Sequence, residues 1–157
     1  MVAEFKLRNK DYAARIRASF ERQHFMSLIG AQLTKVAPGG VEIQLPFRKD
    51  LTQQHGFFHG GLIGTIADNA GGYASFTLME ASDSILTLEF KLNIMAPANG
   101  NLLISRARVL RPGSRVTVSQ SDIYVVRDDT EYLCATMLGT FMTMPDMSDD
   151  PSVQKTR

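Results

Sequence analysis

The chain has 157 residues, 44% hydrophobic and 21% charged, and carries a net charge of +1 from 17 Lys plus Arg against 16 Asp plus Glu. At ~150 residues per domain this is one domain, large enough to bury a core without a disulfide or a metal, and the composition excludes global disorder. The balanced charge argues against a nucleic-acid binder working through a basic surface. The single cysteine, Cys134, excludes an internal disulfide and a cysteine zinc site, and the three histidines make no metal cluster by spacing.

The N-terminal stretch lacks the continuous apolar core of a secretory signal, and Glu4, Asp11 and Glu21 argue against a transit peptide. From about Tyr12 to Met26 the spacing predicts a helix, with Tyr12, Ile16, Phe20 and either His24 or Phe25 on one face and Asp11 as its cap. Two short strands split by Pro38-Gly39-Gly40 follow; Val41, Ile43, Leu45 and Phe47 alternate along the second. Residues Arg48 to Phe58 form a long loop, a common place for function. The apolar, small-residue run from about Gly61 to Met79 reads as a buried helix. Its glycines cost ~1 kcal/mol each, which tight packing against a sheet or a second copy would justify. Asp68 in the middle of this run rules out a membrane span, and a cytoplasmic, reducing setting is the expectation.

Four strands follow, at Ile85–Ala96, Leu102–Leu110, Arg115–Val126 and Tyr132–Met144, joined by short turns that favour antiparallel hairpins. In the first of them Leu86, Leu88, Phe90, Leu92 and Ile94 alternate with Thr87, Glu89, Lys91 and Asn93. The polar tail from Pro145 to Arg157 is expected to be disordered. The whole is an α+β layer, one apolar helix against five or six antiparallel strands, in a single domain over 1–157.

Asp68 is the only charged residue between Asp50 and Glu80. A carboxylate on an apolar helix is expensive to bury without partners. It is either a structural Asp bonded to nearby backbone or a nucleophile or general base in a partly dry cleft. His59-Gly60-Gly61 opens the same helix, whose first N–H groups suit a developing oxyanion. Asp68 lies nine residues beyond His59, two and a half turns, so both ends serve one site only if two chains meet there or the substrate is extended. Gln53 and Gln54 could donate to a carbonyl or hold a water. Thr87 and Asn93 lie on the polar face of the next strand, and Arg111, Ser114 and Arg115 cluster at a hairpin turn that could hold phosphates. His24, His55, Tyr73 and Cys134 read as packing or surface residues. Phe57, Phe58, Tyr73 and Phe76 could line an aryl or alkyl pocket, but their spacing equally fits ordinary core.

The run from Gln53 to Ala70, QQHGFFHGGLIGTIADNA, closely resembles the hotdog-fold acyl-CoA thioesterases of the phenylacetate-degradation (PaaI-like) type. Leu92–Ala98, Val109–Ser114 and Cys134–Phe141 resemble later strands and turns of that family, so the likeness covers roughly residues 12 to 144. The resemblance implies an antiparallel sheet wrapped round a long central helix, dimers paired through sheet edges, and tetramers of such dimers. It implies hydrolysis of an acyl-CoA thioester, with coenzyme A as part of the substrate and neither cofactor nor metal required. Asp68 matches the nucleophile or general base, Gly60 the backbone oxyanion donor, and Gln53 a residue that orients the attacking group. Thr87 matches a hydroxyl that assists the water, and His59 a residue that shapes the loop. Ser114 and Arg115, with Arg111 nearby, match a turn that approaches the coenzyme A nucleotide. The implied site is shared, with Asp68 from one subunit and Gly60 and Gln53 from its partner. A non-hydrolytic acyl-CoA-binding domain and a hydratase-like enzyme are the other readings.

Overall fold

The computed structural model describes residues 5–150 and 152. Helix α1 (Tyr12–Glu21) and the short α2 (His24–Ile29) lead into β1 (Gln32–Ala37) and β2 (Gly40–Pro46). The long helix α3 (Gly60–Phe76) follows, then β3 (Ser84–Ile94), β4 (Leu102–Arg111), β5 (Val116–Arg127) and β6 (Thr130–Met144). The six strands form one sheet in the order β1-β2-β4-β5-β6-β3, every pair antiparallel. The chain leaves β2 and travels along α3 to place β3 at the opposite edge. The helix thus lies against the sheet, touching β2 through β6. Among the described residues no helix is long and apolar enough to cross a membrane.

The small residues of α3 let it sit close to the strands. A Cβ on Gly71 would lie 2.9 Å from Ser119 Oγ and 3.1 Å from the Phe141 ring. Sheet hydroxyls tie the helix down, Ser119 Oγ donating to the Gly71 carbonyl at 3.1 Å and Ser121 Oγ to the Ala67 carbonyl at 2.8 Å. Ile63, Ile66, Ala67, Ala70, Ala74 and Phe76 are buried with Ile43, Leu45, Leu103, Ile123, Met137 and Phe141. The stripe of α3 left open runs through Gly61, Thr65, Asp68, Asn69 and Gly72.

Several expectations shift. The single N-terminal helix is two. The chain turns extended at Gln23 (φ −79°, ψ 98°), which turns Phe25 outward and buries Met26. No glycine or proline causes this break. The Gln23 amide instead donates to the Tyr73 hydroxyl at 2.7 Å, a tertiary contact that local pattern cannot show. Asp11 makes no side-chain cap. The central helix begins one residue earlier, at Gly60, and residues 77–79 tighten into a turn. The tail to Asp150 is held, with Asp149 Oδ2 at 2.7 Å from Arg22. Positions 151 and 153–157 of the expected disordered tail lie outside the described residues.

The alternation along β3 is broken by a bulge between Thr87 and Glu89. Before it Thr87 faces α3; after it Phe90, Leu92 and Ile94 do, lying near Gly64 and Gly60. Leu86 is therefore not on the face that Phe90 shares. An extra residue in one strand of a pair resets the period-2 rule, and here it turns a threonine and three apolar side chains toward one helix.

Candidate active site

The start of α3 is built by its own loop. His59 is the N-cap, its Nδ1 accepting the Gly61 N–H at 2.9 Å, while its carbonyl takes the Leu62 and Ile63 amides. Phe58 N–H donates to the Ala98 carbonyl at 3.1 Å and His59 N–H to the Leu51 carbonyl at 3.1 Å, clamping the turn. The Gly60 N–H meets no acceptor among the described residues, as befits the first position of a helix. Gln53 packs its backbone into the same loop, donating to the Phe57 carbonyl at 2.9 Å. Its side-chain Oε1 accepts the His55 amide, which leaves its Nε2 without a partner among the described residues.

Asp68 lies eight residues from Gly60, ~12 Å along the axis at 1.5 Å per residue. Its Oδ1 accepts from Thr87 Oγ1 at 2.9 Å, and Oδ2 has no protein donor among the described residues. Burial raises its pKa above the usual carboxylate range, and the Thr87 hydroxyl opposes that rise. The carboxylate borders a cavity of about 190 Å³ whose walls include Asn69, Gly72, Tyr73 and Phe76 of α3, Ile85 of β3 and Phe141 of β6. Ser19, Gln23 and Asp149 close the same cavity. Tyr73, read from sequence as a packing residue, is buried by α1 and also lines this space. Burial pushes its phenol up, so it stays a neutral hydroxyl. The sequence pattern had no means of finding Ser19, Gln23 and Asp149, because α1 and the tail reach Asp68 only through the fold.

One chain therefore pairs Asp68 with Thr87 but holds Gly60, Gln53 and His59 apart from them at the other end of α3. Arg111, Ser114 and Arg115 lie at the β4–β5 turn. Ser114 lines a second cavity of about 200 Å³ with Lys6 and Arg8, and no residue borders both cavities. Of the proposed aromatic liners, Tyr73 and Phe76 reach the Asp68 cavity, whereas Phe58 packs edge-to-face on Phe47 in the core. Cys134 is buried, its thiol pushed up to about 11 by desolvation, which suits a packing role. No three His, Cys, Asp or Glu side chains cluster to hold a metal among the described residues.

The sequence profile of the thioesterase superfamily matches residues 55–132. A solved thioesterase family protein from Silicibacter pomeroyi is 44% identical and superposes with a TM-score of 0.84, over 85% of this chain and 98% of that one. The chain belongs to the thioesterase superfamily. A Saccharolobus solfataricus protein whose name provisionally calls it an esterase is 30% identical over 122 residues, 78% of this chain and 79% of its own length. A 1,4-dihydroxy-2-naphthoyl-CoA hydrolase from Listeria monocytogenes is 26% identical over 105 residues, 67% of this chain and 83% of that protein. The superfamily match takes in His59, Gly60, Asp68, Thr87 and the β4–β5 turn, and leaves out Gln53, α1 and the tail. The hotdog fold expected from the resemblance is the fold observed.

Proposed function

We propose that this thioesterase-superfamily protein hydrolyses the thioester of an aryl or aliphatic acyl-CoA to free acid and coenzyme A, as a member of the phenylacetate-degradation type. The observation that carries the reading is Asp68, a half-buried carboxylate with one oxygen held by Thr87 and the other open beside a cavity large enough for an acyl group. Asp68 attacks the carbonyl carbon directly or takes the proton of a water that does. The tetrahedral oxyanion is held by the Gly60 N–H, with the positive end of α3 behind it. Its collapse expels the coenzyme A thiolate, which recovers a proton; on the direct route this leaves an acyl–Asp68 anhydride, which a water hydrolyses to the free acid and the regenerated carboxylate. A thiolate is a fair leaving group, so this route needs no metal. Gln53, with its amide N–H groups unpaired among the described residues, orients the attacking group; His59 holds the loop that presents Gly60.

The ~12 Å between Gly60 and Asp68 is bridged by a second copy. β3 is the free edge of the sheet beyond β6, and Leu86, Leu88, Phe90 and Ile94 along it are exposed. Along β3 Ile94 sits by Gly60 and Thr87 by Asp68. Antiparallel pairing of two β3 edges about a twofold near Phe90 sets Thr87 of each chain opposite Asn93 of the other. Each Asp68 is thereby carried toward the other chain's Gly60. Two such dimers make the tetramer that the resemblance implies. Ser114 shares a cavity with Lys6 and Arg8, and with Arg111 and Arg115 close to it in the chain the turn is suited to the nucleotide phosphates.

The test is release of free thiol from a panel of aryl and aliphatic acyl-CoAs by wild type and Asp68→Asn. The expected result is turnover of at least one thioester, lowered ~100-fold or more in the variant at unchanged thermal stability. Failure of wild type on every thioester, or full activity of Asp68→Asn, would sink the proposal.

A further inference from the structure

The second cavity, of about 200 Å³, lies between the end of α3 and the β4–β5 turn, under residues 5–8. Its lining includes no Asp or Glu; Glu80, next to Met79 in the chain, is not on the wall. Thr117 of β5 and Thr143 of β6 form its floor, at 3% and 5% exposure. Neither hydroxyl has a hydrogen-bond partner among the described residues, and neither is a fully enclosed orphan of the kind found at Asn69 Oδ1 and Ser105 Oγ. Both therefore open onto the cavity. Ser114 adds an exposed hydroxyl at the turn, and Lys6 and Arg8 stand exposed at the mouth with no ion pair among the described residues. The segment that carries them is anchored by Phe5, whose ring fills the space a Cβ on Gly39 would need. The C-terminal end of α3 borders this cavity, and a helix C-terminus is partly negative. Here that end is quenched. The Tyr73, Ser75 and Phe76 carbonyls accept the Thr77, Leu78 and Met79 amides at 3.1, 3.1 and 3.2 Å, and the Ala74 carbonyl accepts Thr77 Oγ1 at 2.6 Å. What remains on the polar wall is a set of donors and two cations.

From this lining we infer that the second cavity binds a phosphate monoester, the Thr117, Thr143 and Ser114 hydroxyls donating to its oxygens and Lys6 and Arg8 balancing its charge. A phosphate monoester offers three acceptor oxygens and nearly two negative charges at neutral pH, so it answers every donor and both cations. A neutral polar group leaves the cations unmatched, and a carboxylate has two oxygens for three hydroxyls. Because donors lie on the floor as well as at the rim, the phosphate enters end first, attached by one bond. A pyrophosphate or a diester is chained on both sides and needs two openings. The volume is sufficient, since ~150 Å³ holds benzene and this cavity is about 200 Å³. Lys6, Arg8 and Thr143 lie outside the superfamily match at 55–132, so the site is built from this chain's own ends. Two sources carry such a group: the 3′-phosphate of a coenzyme A thioester, or free phosphate or a free phosphorylated compound. The inference deepens the coenzyme A reading given above for the β4–β5 turn, and it rests on that reading for the first source only.

The experiment has a binding arm and a kinetic arm, each run on wild type, on Lys6→Gln combined with Arg8→Gln, and on Thr117→Val. In the first, inorganic phosphate should raise the thermal unfolding midpoint of wild type by ~2–4 °C over sodium chloride of equal ionic strength, and both variants should lose the rise. In the second, KM is compared for one acyl group carried on coenzyme A and on 3′-dephospho-coenzyme A. A KM about tenfold lower for coenzyme A in wild type, falling toward parity in the variants, assigns the site to the coenzyme's own phosphate. Equal KM values with the midpoint rise intact and lost in the variants assign it to a free phosphate compound. The paired Lys6 and Arg8 change is on exposed side chains and serves alone if Thr117→Val does not fold. A wild type that shows neither the rise nor the KM preference overturns the inference, as does either effect persisting undiminished in the variants. Failure to turn over any thioester sinks the hydrolysis reading but not this one, which the phosphate titration then decides by itself.

Discussion

Thr87 reaches Asp68 because one residue, Leu88, is extra. With strict alternation through β3, Thr87 and Phe90 would point to opposite faces; the bulge lets both face α3. The hydroxyl then bonds a carboxylate that burial would otherwise leave easier to protonate. A hydrogen bond to the charged form lowers a pKa, so its removal raises one. In the proposed mechanism Asp68 works ionised, so in Thr87→Val the acid limb of kcat/KM should move to higher pH. Tyr73 and Asp149 are the other titratable groups on the cavity wall, and neither is touched by the change. A pH–rate profile of the variant that overlays the wild type would show that Thr87 does not tune Asp68. Asp68 itself was legible in the sequence as a lone charge in a long uncharged stretch. Thr87 stood out from the pattern only as part of the strand's polar face; its role beside the carboxylate came through the resemblance, since period-2 reasoning cannot see a bulge.

At the scale of elements, the face of the sheet turned away from α3 carries a polar row that crosses every strand. The register sets Lys35 against Glu42, Glu42 against Arg106, Arg106 against Asp122, Asp122 against Thr136 and Thr136 against Asn93. Glu42 is its hub, 4% exposed at the side chain, receiving Lys35 Nζ and Arg106 Nε at 2.8 Å, Thr34 Oγ1 at 2.8 Å and Gln44 Nε2 at 3.1 Å. Burial pushes its carboxyl up, but the four donors outweigh this and hold it at about 2. A folded-state pKa below the unfolded value gives stability that is present above ~4.3 and lost as pH falls toward the folded value. Glu42→Gln should lower unfolding free energy at pH 7 by about 2 kcal/mol, the fully linked value being discounted because Lys35 is largely exposed. The difference from wild type should close between ~4 and ~2, followed by urea unfolding across that range. A gap that stays constant with pH would assign the loss to packing instead. The strands themselves were readable from alternation and turn residues, and the central helix from its apolar run. The split of the N-terminal helix was not, because it rests on Gln23 meeting Tyr73, fifty residues away.

For the whole molecule, the sequence already posed the decisive question: Gly60 and Asp68 share a helix yet are too far apart on it to share a substrate carbonyl. If the proposed β3 pairing is right, two inactive chains can rescue each other. Gly60 is the first residue of α3, where proline is well tolerated, and His59 before it is extended (φ −65°, ψ 137°), as a residue preceding proline should be. Gly60→Pro therefore deletes the N–H proposed to hold the oxyanion while keeping the helix, and should cost ~10²–10³ in kcat. Gly60→Ala keeps the N–H and controls for crowding, since a Cβ there lies 3.2 Å from Ile94 Cδ1. Asp68→Asn should be inactive through the other half of the proposed site. In an equimolar mixture with subunits exchanged, half the dimers are hybrids, and each hybrid holds one site with both defects and one with neither. About a quarter of wild-type activity should return on mixing, and thiol release before and after exchange measures it. Activity that stays at the level of the separate variants, with hybrids shown to form, would place Gly60 and Asp68 outside a common site and dissolve the shared-site mechanism.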